Sequence, residues 1–248
     1  MAFAIFKRLC PVCGGEISTE RLEAGLPCRR CLPRTPNSDH FKKLKSSNWG
    51  TLIAVKEEVE KLNTFFKKSI GSEMWSAQRL WAKRVFRNKS FAVIAPTGSG
   101  KTVFGIILSL YLASKGKKIL FVLPTSILVE QVSEKAESYK NKLKLNDLTI
   151  AYYHSFLSKK EKEKMLSIIK SGKTPIVIVT SNFISRYHTL LSGSKFDIAF
   201  IDDVDSILRS SKIFDKILAY IGFGQDVIPV SYTHLRAHET EADLVCRL

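Results

Sequence analysis

Apolar residues in this chain fall in short unbroken runs, with longer segments of helical period between them. Runs over 91–95 (FAVIA), 118–125 (KILFVLPT), 147–154 (DLTIAYYH), 175–181 (PIVIVTS) and 196–203 (FDIAFIDD) read as strands. Continuous apolar character is that of strands covered on both faces. A helix opens at Lys101, and another runs through SILVEQVSEKAESYK. A third starts at the capping box of Ser158 and Glu161 and ends at Gly172. Strands alternating with helices predict an α/β fold, a doubly wound parallel sheet whose ligands gather at the strands' carboxyl ends. Residues 76–229 carry this pattern and read as one incomplete domain, with 37–75 a linker and helical lead-in and 1–36 a separate small module.

The last stretch breaks the pattern. From Val230 the chain reads VSYTHLRAHETEADLVCRL, without helical or strand period. It matches the in-frame translation of a sequencing-library adapter, so residues 230–248 are expected to lie outside the natural protein and outside the fold. No role goes to His234, His238 or Cys246, and the natural chain is expected to continue past residue 229.

Composition then narrows the partners. Lys and Arg outnumber Asp and Glu 39 to 23, a net charge of +16. An excess of this size favours a polyanion, nucleic acid first, over a merely basic surface. Hydrophobic residues make up 45% of the chain, enough for a core. No apolar run reaches the ~18 residues that suggest a membrane span. The chain is therefore read as soluble, cytoplasmic and monomeric, with no membrane partner. Abundant lysine and rare glutamine add a mild heat-adaptation signal.

Two motifs carry chemistry. Cys10, Cys13, Cys28 and Cys31 form two C-x2-C knuckles, a spacing that suits four thiolates around structural zinc with no open coordination position. Two disulfides or a redox pair are the alternatives, each at odds with an intracellular chain carrying two pairs in tandem. Arg29, Arg30 and Arg34 flank the second knuckle, facing either phosphate or solvent. The second motif, Ala95-Pro96-Thr97-Gly98-Ser99-Gly100-Lys101-Thr102, joins a strand to a helix. Its backbone N–H groups would cradle the β- and γ-phosphates of ATP, Lys101 would reach them, and Thr102 would ligate Mg²⁺. Ala95 stands where the common pattern has Gly. After the last strand, Asp202 is placed to hold the magnesium and Asp203 to orient or deprotonate water. Asp205 either ties this loop to its neighbours or caps the next helix. Gln78, before the first strand, suits an adenine amide reader, with Trp75 or Phe66 to stack on the ring; Trp81 and Phe86 fit helical spacing as core.

Taken in order, CPVCGGEISTERLEAGLPCRRC, WSAQRLWAKR, APTGSGKT, LPTSILVEQ and DDVDS resemble the reverse gyrase family over residues 5–228. The resemblance implies a RecA-like ATPase domain behind a zinc-ribbon-like module, belonging to an ATP-dependent DNA topoisomerase that introduces positive supercoils. It implies ATP, Mg and Zn as cofactors and DNA as partner. It assigns Lys101, Asp202 and Asp203 to catalysis, Gln78 and 95–102 to ATP, and Pro124, Thr125, Gln131, Thr180 and Ser181 to DNA. Thr125 and Ser181 serve equally well as helix caps. The family's second motor domain and topoisomerase domain are not in these residues, so the chain alone is expected to turn over ATP negligibly. An ordinary DNA or RNA helicase with a zinc module, and a non-catalytic zinc adaptor with a P-loop switch, are the rival readings.

Overall fold

The computed structural model describes residues 4–191, 194–203, 216–217, 219–220 and 242–247. The chain forms two compact units, Met1–Glu60 and Lys61–Leu248.

In the first unit, strands β1 (Ile5–Phe6) and β2 (Ile17–Ser18) pair antiparallel, and α1 (Thr19–Glu23) leaves β2 directly. Helix α2 (Ser38–Lys45) starts at Asn37, whose Oδ1 accepts the His40 N–H. Helix α3 (Asn48–Ile70) runs on into the second unit, so the segment expected as linker and helical lead-in is largely helical. Around the knuckles the buried cluster is Cys10, Ile17, Cys28 and Cys31, with Val12 packed on it. A cluster that is mostly cysteine supplies little apolar burial, which is where small modules depend on a metal. Arg21 holds the second knuckle from outside, donating to the carbonyls of Pro27 and Leu32.

The second unit continues through α4 (Ser76–Phe86), β3 (Phe91–Ile94), α5 (Lys101–Ala113), β4 (Ile119–Leu123), α6 (Ser126–Lys142) and β5 (Ile150–Tyr153). Then come α7 (Lys159–Lys170), β6 (Ile176–Thr180), α8 (Ser181–Arg186), α9 (His188–Leu191), β7 (Ile198–Ile201) and β8 (Ala242–Arg247). Across the sheet the order is β3-β8-β7-β4-β6-β5. Strands β7, β4, β6 and β5 are parallel. Strand β8 is antiparallel to both β3 and β7, which leaves those two parallel to each other. Five strands therefore end at one rim. Strand β8 falls in the stretch expected to stay outside the fold; its pairing says where those residues lie and nothing of their origin.

Every residue of β4, β6 and β7 is buried, as their unbroken apolar runs required. Rings of Phe121 and Phe200 meet at 4.6 Å on one face. Helix α5, apolar all round and buried along its length, lies over that face. A Cβ at Gly105 would sit 2.7 Å from the Phe200 ring, so glycine is what lets helix and sheet come this close. Phe104, from the same helix, packs on Phe66 and Trp81. By strand alternation Leu120 and Val122 point to the other face, where Val177, Val179, Ile169, Phe183 and Leu191 join them. At the far ends of the strands, Asp197 pairs with Lys117 at 2.7 Å and accepts the Lys118 N–H, fixing β7 against β4.

Candidate functional site

The loop between β3 and α5 closes around a cavity of about 410 Å³, lined by residues 97–103 with Pro124, Leu128, Asp202 and Asp203. Helices α6, α7 and α8 are each capped by a side chain: Thr125, Ser158 and Thr180 accept the N–H of Leu128, Glu161 and Phe183. Helix α5 differs. Its cap position is Gly100, at φ +79°, and no side chain serves its first turn. Lys101, Thr102 and Val103 open this helix and line the cavity, so the positive end of the helix dipole is left for an anion. Ser99 Oγ is buried in the loop without a hydrogen-bond partner, a donor that an incoming acceptor would satisfy.

Lys101 is buried, its Nζ donating to Ala95 O at 2.8 Å and to Pro96 O at 3.4 Å. A buried ammonium resting on carbonyls gains more from an anion than it loses by leaving them. Thr102 Oγ1 donates to Asp202 Oδ2 at 3.0 Å, joining the start of α5 to the end of β7. The Asp202 N–H donates to Val122 O, which anchors the carboxylate on the central strand. Asp203 follows at φ +53°, a left-handed conformation that Asp tolerates better than most residues. The hydroxyl and the carboxylate expected at the cation are thus in contact, beside the loop expected to hold phosphate.

Gln78 is buried and already engaged. Its Oε1 accepts the Trp75 N–H at 3.3 Å, and its Nε2 donates to Gly100 O at 3.4 Å. A Cβ at Gly100 would stand 3.0 Å from that nitrogen, a second reason for glycine there. The expected stacking partners separate cleanly. Phe66 is 0% exposed in the core and has no face for a base, whereas Trp75 is 47% exposed, edge-on to buried Trp81. Phe86 packs against Tyr111, as its spacing suggested. Asp205 lies outside the described residues.

The four cysteines converge. Their sulfurs all lie within 4.8 Å of one another, and all four are free thiols. A pair of disulfides would leave two separate short S–S contacts; this arrangement is one four-sulfur cluster. Burial pushes the Cys10 thiol up, but N–H groups of Cys28, Cys13 and Val12 directed at it outweigh that and bring it down to about 6. Burial and the neighbouring sulfurs push Cys31 up, and burial pushes Cys28 up. Four thiolates this close repel unless a cation sits among them, and a dication reverses the sign of these shifts. The donor set fits zinc.

Comparison with known proteins places this geometry. The DEAD/DEAH box helicase family matches residues 75–230, spanning the glycine loop at 95–102, the capped helices and the aspartates. The chain belongs to the DEAD/DEAH box helicase family. Ahead of the helicase match, the reverse gyrase zinc finger family matches residues 1–50. Among curated relatives, the reverse gyrase of Pyrococcus horikoshii is 39% identical over 98% of this chain and 16% of its own length. Reverse gyrase 1 of Aquifex aeolicus is 40% identical over 96% of this chain and 20% of its own length. The reverse gyrase of Methanocaldococcus jannaschii is 41% identical over 92% of this chain and 14% of its own length. The chain therefore spans a fifth or less of these relatives. A RecA-like helicase domain behind a four-cysteine module, the fold expected, is what this helicase has, and the finger family and cluster together support zinc.

The helicase residues expected at DNA do not behave as one set. Thr125 and Gln131 are exposed, Thr125 also capping α6. Thr180 is only 8% exposed and its hydroxyl is spent on the cap of α8, leaving Ser181 as the first residue of that helix. Pro124 lines the cavity at the 97–103 loop. Leu128 and Val103 also line it; only their places, one turn into α6 and α5, signalled that. No helix among the described residues is long and apolar enough to cross a membrane.

Proposed function

We propose that the chain is the N-terminal part of an ATP-dependent DNA topoisomerase of the reverse gyrase type, which introduces positive supercoils into DNA. The single observation that carries this reading is the order of a zinc-ligating cluster and a phosphate-loop helicase sheet, shared with reverse gyrases along nearly the whole chain. Residues 95–102 bind ATP through loop and α5 amides, with Lys101 neutralising the phosphates. Gln78 reads adenine by exchanging its bond to Gly100, and Trp75 is the ring left to stack. Thr102 and Asp202 hold Mg²⁺, which supplies charge neutralisation at the transferring phosphoryl group. Asp203 orients the attacking water. DNA lies along Thr125, Gln131 and Ser181, with Pro124 and Thr180 shaping that rim.

Hydrolysis by these residues alone is slow. An arginine finger contributes about 10³–10⁵ in rate in related phosphoryl transfer. Among the described residues no arginine lines the cavity. DNA-stimulated ATP hydrolysis, followed by phosphate release with and without duplex DNA, tests this. The expected result is a trace rate unchanged by DNA. Turnover of several per second with strong DNA stimulation would show that this chain carries a complete motor, and an ordinary helicase would then be the better reading.

A further inference from the structure

Strand β5 ends in aromatic residues that the nucleotide chemistry does not use. Tyr152 and His154 stack at 5.9 Å with rings 12° from parallel, and the Phe156 ring lies 5.9 Å from His154, tilted by 55°. His154 is 5% exposed and its Nδ1 is buried without a hydrogen-bond partner. Phe156 is 58% exposed. A lone exposed aromatic is ordinary on any protein. This one stands on a fixed mount. The Ser155 N–H donates to Ser126 Oγ at 3.2 Å, tying its loop to the residue beside Thr125. Lys162 Nζ donates to Ser155 O at 2.7 Å, and the Ser158–Glu161 capping box closes the loop on the other side.

We infer that Phe156 is a stacking position for an unpaired base of DNA lying along this rim, a role that rests on the DNA reading proposed above. Charge favours a nucleic acid over an apolar protein partner. Lys159, Lys160 and Lys164 are exposed on the helix that follows, Lys162 is half-buried, and Glu161 is spent on the cap. An exposed ring on a loop whose following helix exposes Lys159, Lys160 and Lys164, with Glu163 also exposed among them, is the combination that grips single strands, since every base offers a π face while the phosphates meet the lysines. Because the ring touches no phosphate, it adds affinity for unpaired bases without adding to the salt dependence.

The test is anisotropy of a labelled oligothymidylate, and of a duplex of equal length, with the full chain and with Phe156→Ala, Phe156→Leu and Phe156→Trp. Stacking on an aromatic contributes ~1–3 kcal/mol per base, about a 5- to 150-fold change in affinity. Phe156→Ala and Phe156→Leu are expected to weaken single-strand binding within that range. The logarithmic salt slope stays the same and duplex binding changes by less than about twofold. Phe156→Trp is expected to restore it. The leucine variant keeps an apolar side chain on the mount, so circular dichroism that matches the parent separates lost stacking from lost fold. Single-strand binding unchanged in both variants, or lost equally for duplex, overturns the stacking role alone. A parent chain that binds neither DNA overturns the rim reading as well.

Discussion

The two units hold polar clusters by opposite means. In the first, three of the four clustered sulfurs, with Ile17, make the buried cluster around the knuckles, so site and scaffold there are largely the same atoms. In the second, Lys101, Thr102 and Asp202 sit at the edge of a sheet whose strands β4, β6 and β7 are buried on both faces, and the site rests on a core that exists without it. The difference teaches which site a ligand builds and which site a ligand only occupies. Metal binding is folding free energy where little other core surrounds the ligands; a nucleotide bound as proposed would be an addition to a sheet already formed.

The sharpest way to break that contrast is to remove the metal. Apparent zinc affinities of structural fingers amount to about 10–16 kcal/mol. Chelation, or Cys28→Ser, should therefore open Met1–Glu60 to limited proteolysis while Lys61–Leu248 stays protected. Loss of both units together would deny that they are independent. Next in size is the sheet's own core. Phe121→Ala, which empties the contact with Phe200, should cost about 3–5 kcal/mol by the urea midpoint of the second unit, and added zinc should not restore it. Smaller again is Thr180→Ala, expected to cost about 1 kcal/mol because a buried helix start loses its acceptor. Thr180→Ser should recover most of it. DNA affinity that falls instead, with stability unchanged, would make Thr180 a contact and not a cap.

The smallest expected effect is one of pH. Burial pushes His154 below its usual value of 6.5, against Glu130 and Glu134 of α6 and Glu161 of α7, with Lys162 acting in the same direction as burial. A histidine held neutral in the fold takes up its proton more readily when unfolded. Its contribution is therefore present above pH 6.5 and lost as pH falls through 6.5 toward the folded value. Urea midpoints between pH 7.5 and 5 should show this decline in the parent and less of it in His154→Phe. An equal decline in both would assign it elsewhere.

Much of the second unit was legible because its strands and caps speak locally. The unbroken apolar runs placed β4, β6 and β7, each strand shorter than its run by one or two residues at either end, and Ser158 with Glu161 gave the start of α7. Strand β5 proved shorter than its apolar run, since Leu145 and Leu148 close a turn ahead of Ile150. The turn from β3 into α5 was readable because its glycines and Lys-Thr pair are constrained by backbone geometry within a few residues. What stayed hidden is long-range. The bond from Gln78 to Gly100 spans a helix and a strand, and the burial of Phe66 depends on α5. Side-chain identity at those positions permits either role; only packing chooses.

Lys101 and Asp202 are proposed to grip a nucleotide at a rim that needs no nucleotide to form. Calorimetric titration of ATP with magnesium into the parent chain, Lys101→Ala and Asp202→Asn, alongside urea midpoints for all three, tests it most directly. A charge-assisted hydrogen bond is worth about 1.5–3 kcal/mol, so each variant should bind about 10- to 150-fold more weakly with its midpoint unmoved. Equal binding by all three proteins would contradict it, because the triphosphate would then be held somewhere other than the cavity between α5 and β7.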